Sequence, residues 1–174
     1  LAIAPGEIGS GARDIFFRGG AFQLQAALFW CLHMSLLDVA KQPPPAKELP
    51  KLVGKLMHAF DNMKKYAKFL PLKKLAVLKE TGRSEYFFNW IEHPDNGEYW
   101  QKRECSSYGK IAQPTYFFTG WYDILLGGTL DNYKRMKEGG GPEEVKKNLK
   151  LLVGPWIHSV DLPQKAGEMN FGIG

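Results

Sequence analysis

The 174 residues contain two cysteines, Cys31 and Cys105. Two are too few for a disulfide framework and lack the spacing of a metal site, so both read as structural or incidental thiols, with no metal and no cofactor expected. Long apolar runs are also missing. The strongest, residues 26–32 within an apolar stretch at 22–39, is flanked by Gln23, Gln25, His33, Ser35 and Asp38. Polar groups at that density are costly in lipid, which favours a helix buried in protein and excludes a membrane as partner. No secretory-leader pattern occurs in the sequence, and a cytoplasmic placement is the expectation.

Serine is scarce. Ser10, Ser35, Ser84, Ser106, Ser107 and Ser159 are the full set, and none stands in a Gly-x-Ser-x-Gly setting between a strand and a helix. That setting is what a nucleophile elbow requires. Arginine is absent from the most basic stretch. Residues 41–80 hold ten lysines against Glu48, Asp61 and Glu80, a local +7 that leaves −2 of the overall +5 for the rest. A lysine block without arginine, placed on the polar face of a helix, is a solvated face, so nucleic acid is not an expected partner.

With 44% hydrophobic and 13% aromatic residues, the chain can bury one sizeable core. Two stretches organise it. Residues 115–119 are β-branched and aromatic and lead into Gly120-Trp121-Tyr122-Asp123. Residues 149–153 are rich in apolar residues and lead into Gly154-Pro155-Trp156-Ile157-His158. Both read as strands. Between them residues 124–138 read as a helix with Leu125, Leu130 and Tyr133 among its apolar positions, stopped by Gly139-Gly140-Gly141-Pro142. Strand, helix and strand are long enough for a right-handed crossover between parallel strands. In an open α/β sheet, chemistry gathers beyond the carboxyl ends of the strands, where Asp123 and His158 would meet. Taken singly, an Asp before a helix is an N-cap and a His after Gly-Pro is a loop residue. As a pair in that order, they would make the carboxylate and imidazole members of a catalytic triad, a reading that stands open here beside the two plain ones.

Upstream, residues 1–5 read as the end of a buried strand and 6–20 as a glycine-rich loop. Residues 41–50, with Pro43-Pro44-Pro45 and Pro50, read as an extended break. Residues 51–70 predict an amphipathic helix that buries Leu56, Phe60 and Met63 and leaves its lysines in water. Residues 72–79 read as a short extended or helical piece, Thr81-Gly82 as a turn, 86–91 as a short aromatic segment, and His93-Pro94-Asp95-Asn96-Gly97 as a loop. His33, His58 and His93 read as structural, since nothing near them offers ligand spacing.

These stretches resemble the cocaine esterase and X-Pro dipeptidyl-peptidase group of α/β-hydrolases. The resemblance rests on Ala2-Ile3-Ala4-Pro5 with Gly19-Gly20-Ala21-Phe22, on His93-Pro94-Asp95 with Tyr99-Trp100, on Gly120-Trp121-Tyr122-Asp123, and on Gly154-Pro155-Trp156-Ile157-His158, in the family's order. It implies that Asp123 and His158 are the triad acid and base. It also implies that the serine and oxyanion-hole residues precede Ala2 and that a β-sandwich follows the segment around Gly167 to Gly172. Thr119 stands where the family often has Gly and Ser159 where Gly is common, and neither is expected to touch the chemistry.

The expected fold is therefore α/β, part of an α/β-hydrolase core with parallel strands and a crossover helix. Residues 1–22 form a core strand and loop, 23–110 a helical cap insertion, and 111–174 the C-terminal part of the core. The expected function is that of a serine-hydrolase fragment, an internal piece of a longer protein. It would cleave esters or amides through an acyl-enzyme, supply Asp123 and His158, and be inactive alone. Its expected partners are a small ester, amide or short-peptide substrate and the remainder of the hydrolase chain, with a homo-oligomer also admitted. The alternative from another class is a non-catalytic cap and half-core that binds a partner chain.

Overall fold

The computed structural model describes residues 1–104, 107–139, 141–158, 165–166, 168–170 and 172. In chain order its elements begin with α1 (Ala12–Phe16), β1 (Phe17–Arg18), β2 (Ala21–Phe22), α2 (Leu24–Lys41), α3 (Leu49–Asp61) and α4 (Met63–Tyr66). They continue with α5 (Ala76–Thr81), α6 (Glu85–Glu92), α7 (Glu98–Gln101), β3 (Tyr116–Gly120), α8 (Leu126–Glu138), α9 (Glu143–Lys147), β4 (Lys150–Gly154), β5 (Lys165–Ala166) and β6 (Met169–Asn170). Single 3-10 turns occur at Leu72–Lys74 and Tyr108–Lys110. The chain divides into two compact units, one of Leu1–Ile15 with Trp100–Gly174 and one of Phe16–Tyr99.

The first unit is mixed α/β. β3 and β4 pair in parallel, with Tyr116 opposite Lys150 and Gly120 opposite Gly154. α8 connects them, as the apolar strand runs and the glycine stop led one to expect. The N-terminal residues run beside β3 on its other edge. Ile3 N–H donates to Pro114 O, Tyr116 N–H to Ile3 O, Phe118 N–H to Pro5 O and Glu7 N–H to Phe118 O, with parallel bridges Ile3 to Thr115 and Gly6 to Phe118. Three extended segments thus run the same way. The expectation of a buried strand at residues 1–5 is corrected: Leu1 to Ala4 are exposed, and their apolar character accompanies pairing rather than burial.

The core of this unit is Phe117, Met136, Val145 and Leu149, with Ile8, Tyr108, Ile111, Tyr133 and Leu151 packed against it. The buried face of α8 is Thr129, Asn132 and Met136, whereas Leu130 is exposed. The buried face includes polar residues because these bond the backbone of a distant loop. The Thr129 hydroxyl accepts Ile8 N–H at 3.1 Å and donates to Ile8 O at 3.0 Å. Asn132 Nδ2 donates to Gly9 O at 3.0 Å, and its Oδ1 accepts the Tyr108 hydroxyl at 2.6 Å. Satisfied in this way, a buried hydroxyl and amide carry little desolvation penalty.

The second unit is helical. Ala27, Leu28, Cys31 and Leu32 of α2, Leu56 and Ala59 of α3, Leu75, Leu78 and Phe87 are buried together with Ser35 and Ser84. The two hydroxyls bond each other at 2.8 Å, and Ser35 also donates to Cys31 O at 2.8 Å. α2 is only half enclosed, since Phe29, Trp30 and Leu37 stay exposed. The helix expected over 51–70 is interrupted at Asn62. It buries Leu56 and Ala59 fully and Phe60 and Met63 in part, with Lys51, Lys55, Lys64, Lys65 and Lys68 in water. Pro50 lies in the first turn of α3, where its missing N–H is harmless, and so belongs to the helix rather than the break. The aromatic segment at 86–91 is helix α6. The loop read at 6–20 contains α1 and, with residues 21–22, the β1–β2 hairpin, whose Gly19 and Gly20 take φ of 60° and 84°.

Candidate active site

β3 and β4 end in register at Gly120 and Gly154, so the residues that follow them emerge on one edge. Backbone bonds then lace the two ends together. Trp121 N–H donates to Gly154 O at 2.8 Å and Tyr122 N–H to Trp156 O at 3.2 Å. A Cβ at Gly120 would overlap the Trp156 carbonyl, and one at Gly154 would overlap the Trp156 indole. Both glycines are thus required by the close approach of the segment that leads to His158.

Within this lacing His158 Nδ1 lies 2.9 Å from Asp123 Oδ1. An ionised carboxylate only accepts, so Nδ1 carries the proton and Nε2 is left with its lone pair. The Asp123 side chain is fully buried while that of His158 is 44% exposed. Asp123 is held from three sides. Oδ1 also accepts Leu125 N–H at 2.8 Å, and Oδ2 accepts the Thr119 hydroxyl at 2.9 Å. The Leu125 contact is the helix-capping interaction that an Asp at this position suggests. It coexists with the histidine contact rather than competing with it.

Two further residues lie near the pair, and neither was given a role in the sequence. Thr119, expected to be remote from the chemistry, instead touches the carboxylate directly. Glu7, at the end of the N-terminal extended segment, places Oε2 3.8 Å from His158 Nδ1 with its side chain 15% exposed. No local signal marks Glu7, because its contact with His158 joins segments that only the parallel sheet brings together, whereas Thr119 lies four positions before Asp123. Ser159 and Cys105 lie outside the described residues.

Glu7, Asp123 and His158 form one group with donor atoms within 4.8 Å of one another, a set that could in principle receive a cation. The Asp123 oxygens, however, already face an O–H, an amide N–H and the imidazole N–H. A metal on Nδ1 would displace that imidazole proton. The contacts suit hydrogen bonding better than coordination.

The other histidines belong to the unit Phe16–Tyr99. His58 contacts Asn62 at the end of α3. His33 is exposed and stacks on Phe29, which places it outside the core. His93 Nδ1 lies 2.7 Å from Asn89 O, and its ring stacks on Tyr99.

Residues 1–160 match the family model described as X-Pro dipeptidyl-peptidase (S15 family). The chain is also 27% identical over 161 residues to cocaine esterase of Rhodococcus sp. (strain MB1 Bresler), an overlap that covers 89% of this chain and 26% of that protein. It therefore spans about a quarter of the length of that relative. No helix among the described residues is long and apolar enough to cross a membrane.

Proposed function

Since the chain belongs to the X-Pro dipeptidyl-peptidase (S15) family, we propose that it carries the acid and base of a serine-hydrolase triad, Asp123 and His158. The observation that supports this best is the 2.9 Å contact between them at the ends of parallel β3 and β4. In this reading His158 Nε2 takes the proton of a serine hydroxyl as the oxygen attacks an ester or amide carbonyl. The same nitrogen then returns the proton to the leaving group. Asp123 fixes the tautomer and offsets the charge of the imidazolium. Water repeats the cycle on the acyl-enzyme.

The serine is proposed to come from the part of the hydrolase outside these 174 residues, since no serine here stands in a Gly-x-Ser-x-Gly turn. Residues 1–174 alone would then be inactive. The reading keeps a helical cap insertion over residues 23–110, most of which falls in the compact unit Phe16–Tyr99. The substrate is proposed to be a small acyl ester or a short peptide amide.

The test is fluorophosphonate labelling and p-nitrophenyl ester turnover by the full-length hydrolase that contains this chain. His158→Ala should abolish both, and Asp123→Asn should lower kcat by about 10⁴-fold through loss of the correct tautomer. Turnover unchanged in either variant removes the assignment.

A further inference from the structure

Glu7 reaches the histidine from the opposite side of the sheet to His158's own strand. The three extended segments run the same way, in the order N-terminal segment, β3, β4, and each delivers one residue to the carboxyl edge: Glu7, Asp123 and His158. Glu7 is also firmly placed. Its N–H donates to Phe118 O at 2.9 Å, the next residue is bonded through both N–H and C=O to Thr129, and Gly9 O accepts Asn132. A Cβ at Gly128 would lie 2.6 Å from Gly9 Cα, so α8 presses directly on this loop. Among the described residues Glu7 is the one non-glycine with positive φ, at 50°. Such backbone is uphill for a side-chain-bearing residue and persists where the surroundings impose it, often at functional sites.

We infer that Glu7 is a positioning residue for His158, a second carboxylate that acts on the imidazole beside Asp123; the inference rests on the triad reading above. At 3.8 Å from Nδ1, Oε2 stands too far for a good hydrogen bond but within ion-pair range. Asp123 Oδ1 holds the Nδ1 proton throughout. When Nε2 takes the serine proton the ring becomes cationic, and its attraction to Glu7 grows as the transition state is approached. No proton passes to Glu7. The His158 ring is 44% exposed, unlike Asp123, so a second anchor limits its rotation away from the attacking oxygen. Interactions of this type, stronger in the transition state than in the ground state, raise kcat and leave KM nearly unchanged.

The experiment compares Glu7→Gln, Glu7→Asp, Asp123→Asn and His158→Ala in the full-length hydrolase, with kcat and KM on a neutral p-nitrophenyl ester. The NMR resonance of the His158 Nδ1 proton is followed alongside. Gln keeps the shape of the side chain and the backbone demand. Glu7→Gln should lower kcat about tenfold at constant KM and shift the Nδ1 proton resonance, and Glu7→Asp should recover part of the loss. If His158→Ala and Asp123→Asn are inactive while Glu7→Gln matches the parent in kcat and resonance, the role of Glu7 is overturned and the triad stands. A change confined to KM also overturns it, by placing Glu7 on the substrate. If Glu7→Gln fails to fold, Glu7→Asp decides alone: a lowered kcat at constant KM with a shifted Nδ1 resonance supports the role, and kcat and resonance identical to the parent overturn it. Full activity in His158→Ala identifies the triad reading as the failure instead.

Discussion

The Thr119 hydroxyl donates to Asp123 Oδ2 at 2.9 Å, with both side chains buried. That bond fixes one oxygen of the carboxylate and leaves the other, Oδ1, directed at His158 and at the start of α8. A strand residue four positions earlier thus sets the rotation of the acid about its own bond. Thr119→Val keeps shape and removes the donor. Leaving a buried acceptor unmatched costs about 1–3 kcal/mol, so the denaturant midpoint should fall accordingly. kcat should drop more than KM changes, and an unchanged midpoint would show that the bond has no energetic weight.

The close approach of Trp156 makes a second prediction. Gly120→Ala and Gly154→Ala both insert a methyl where Trp156 already sits. Overpacking of this sort costs about 1–3 kcal/mol. Gly127→Ala has no neighbour within 4 Å of the new atom and lies in helix α8, where alanine is favoured over glycine by roughly 1 kcal/mol. Thermal unfolding should therefore move in opposite directions, down for the two strand-end glycines and up or level for Gly127.

In the helical unit the contrast is between a buried leucine and solvated lysines. Leu56 is fully buried, and Leu56→Ala should cost about 2–5 kcal/mol. Lys64 and Lys65 are exposed, and replacing either with Ala should stay within roughly 0.5 kcal/mol. Urea unfolding followed by far-ultraviolet circular dichroism measures both. Equal losses would mean that α3 and α4 present a different face to their neighbours.

What could be read from the sequence follows the range of the signal. β3 and β4 are apolar runs closed by glycine, α2 and α8 are long and well punctuated, and those local patterns hold in the structure. The contact between Asp123 and His158 spans 35 positions, yet it was foreseeable because the strand-helix-strand order fixes which ends meet. Thr129 and Ile8 are 121 positions apart, and nothing local tells a helix hydroxyl that serves a distant loop from one that faces water. Glu7 was hidden for the same reason, with the added disguise of a glycine-rich neighbourhood that reads as loop. Which face of α8 is buried could not be read from apolarity, since Thr129 and Asn132 are buried and Leu130 is exposed. Burial instead followed hydrogen-bond partners supplied from residues 8 and 9.

The last prediction concerns Cys31 and pH. Its thiol is completely buried in α2, and burial pushes its pKa up to about 12, the Tyr86 hydroxyl offsetting this only in part. A free cysteine ionises near 8.5. The folded state therefore keeps its proton where the unfolded chain has lost it. The sign follows: this contribution to stability is fully present below about pH 8.5 and is lost as pH rises from there toward 12, because the unfolded state becomes the better acid. Two measurements check it. In a Cys105→Ser background the folded protein should react with a disulfide reagent at pH 8 only as fast as it opens, since the thiolate is the nucleophile. Cys31→Ala should flatten the decline of the unfolding midpoint between pH 8.5 and 10. Rapid modification of the native protein at pH 8, or an alkaline decline identical in Cys31→Ala, would show that the thiol is not held protonated by its surroundings.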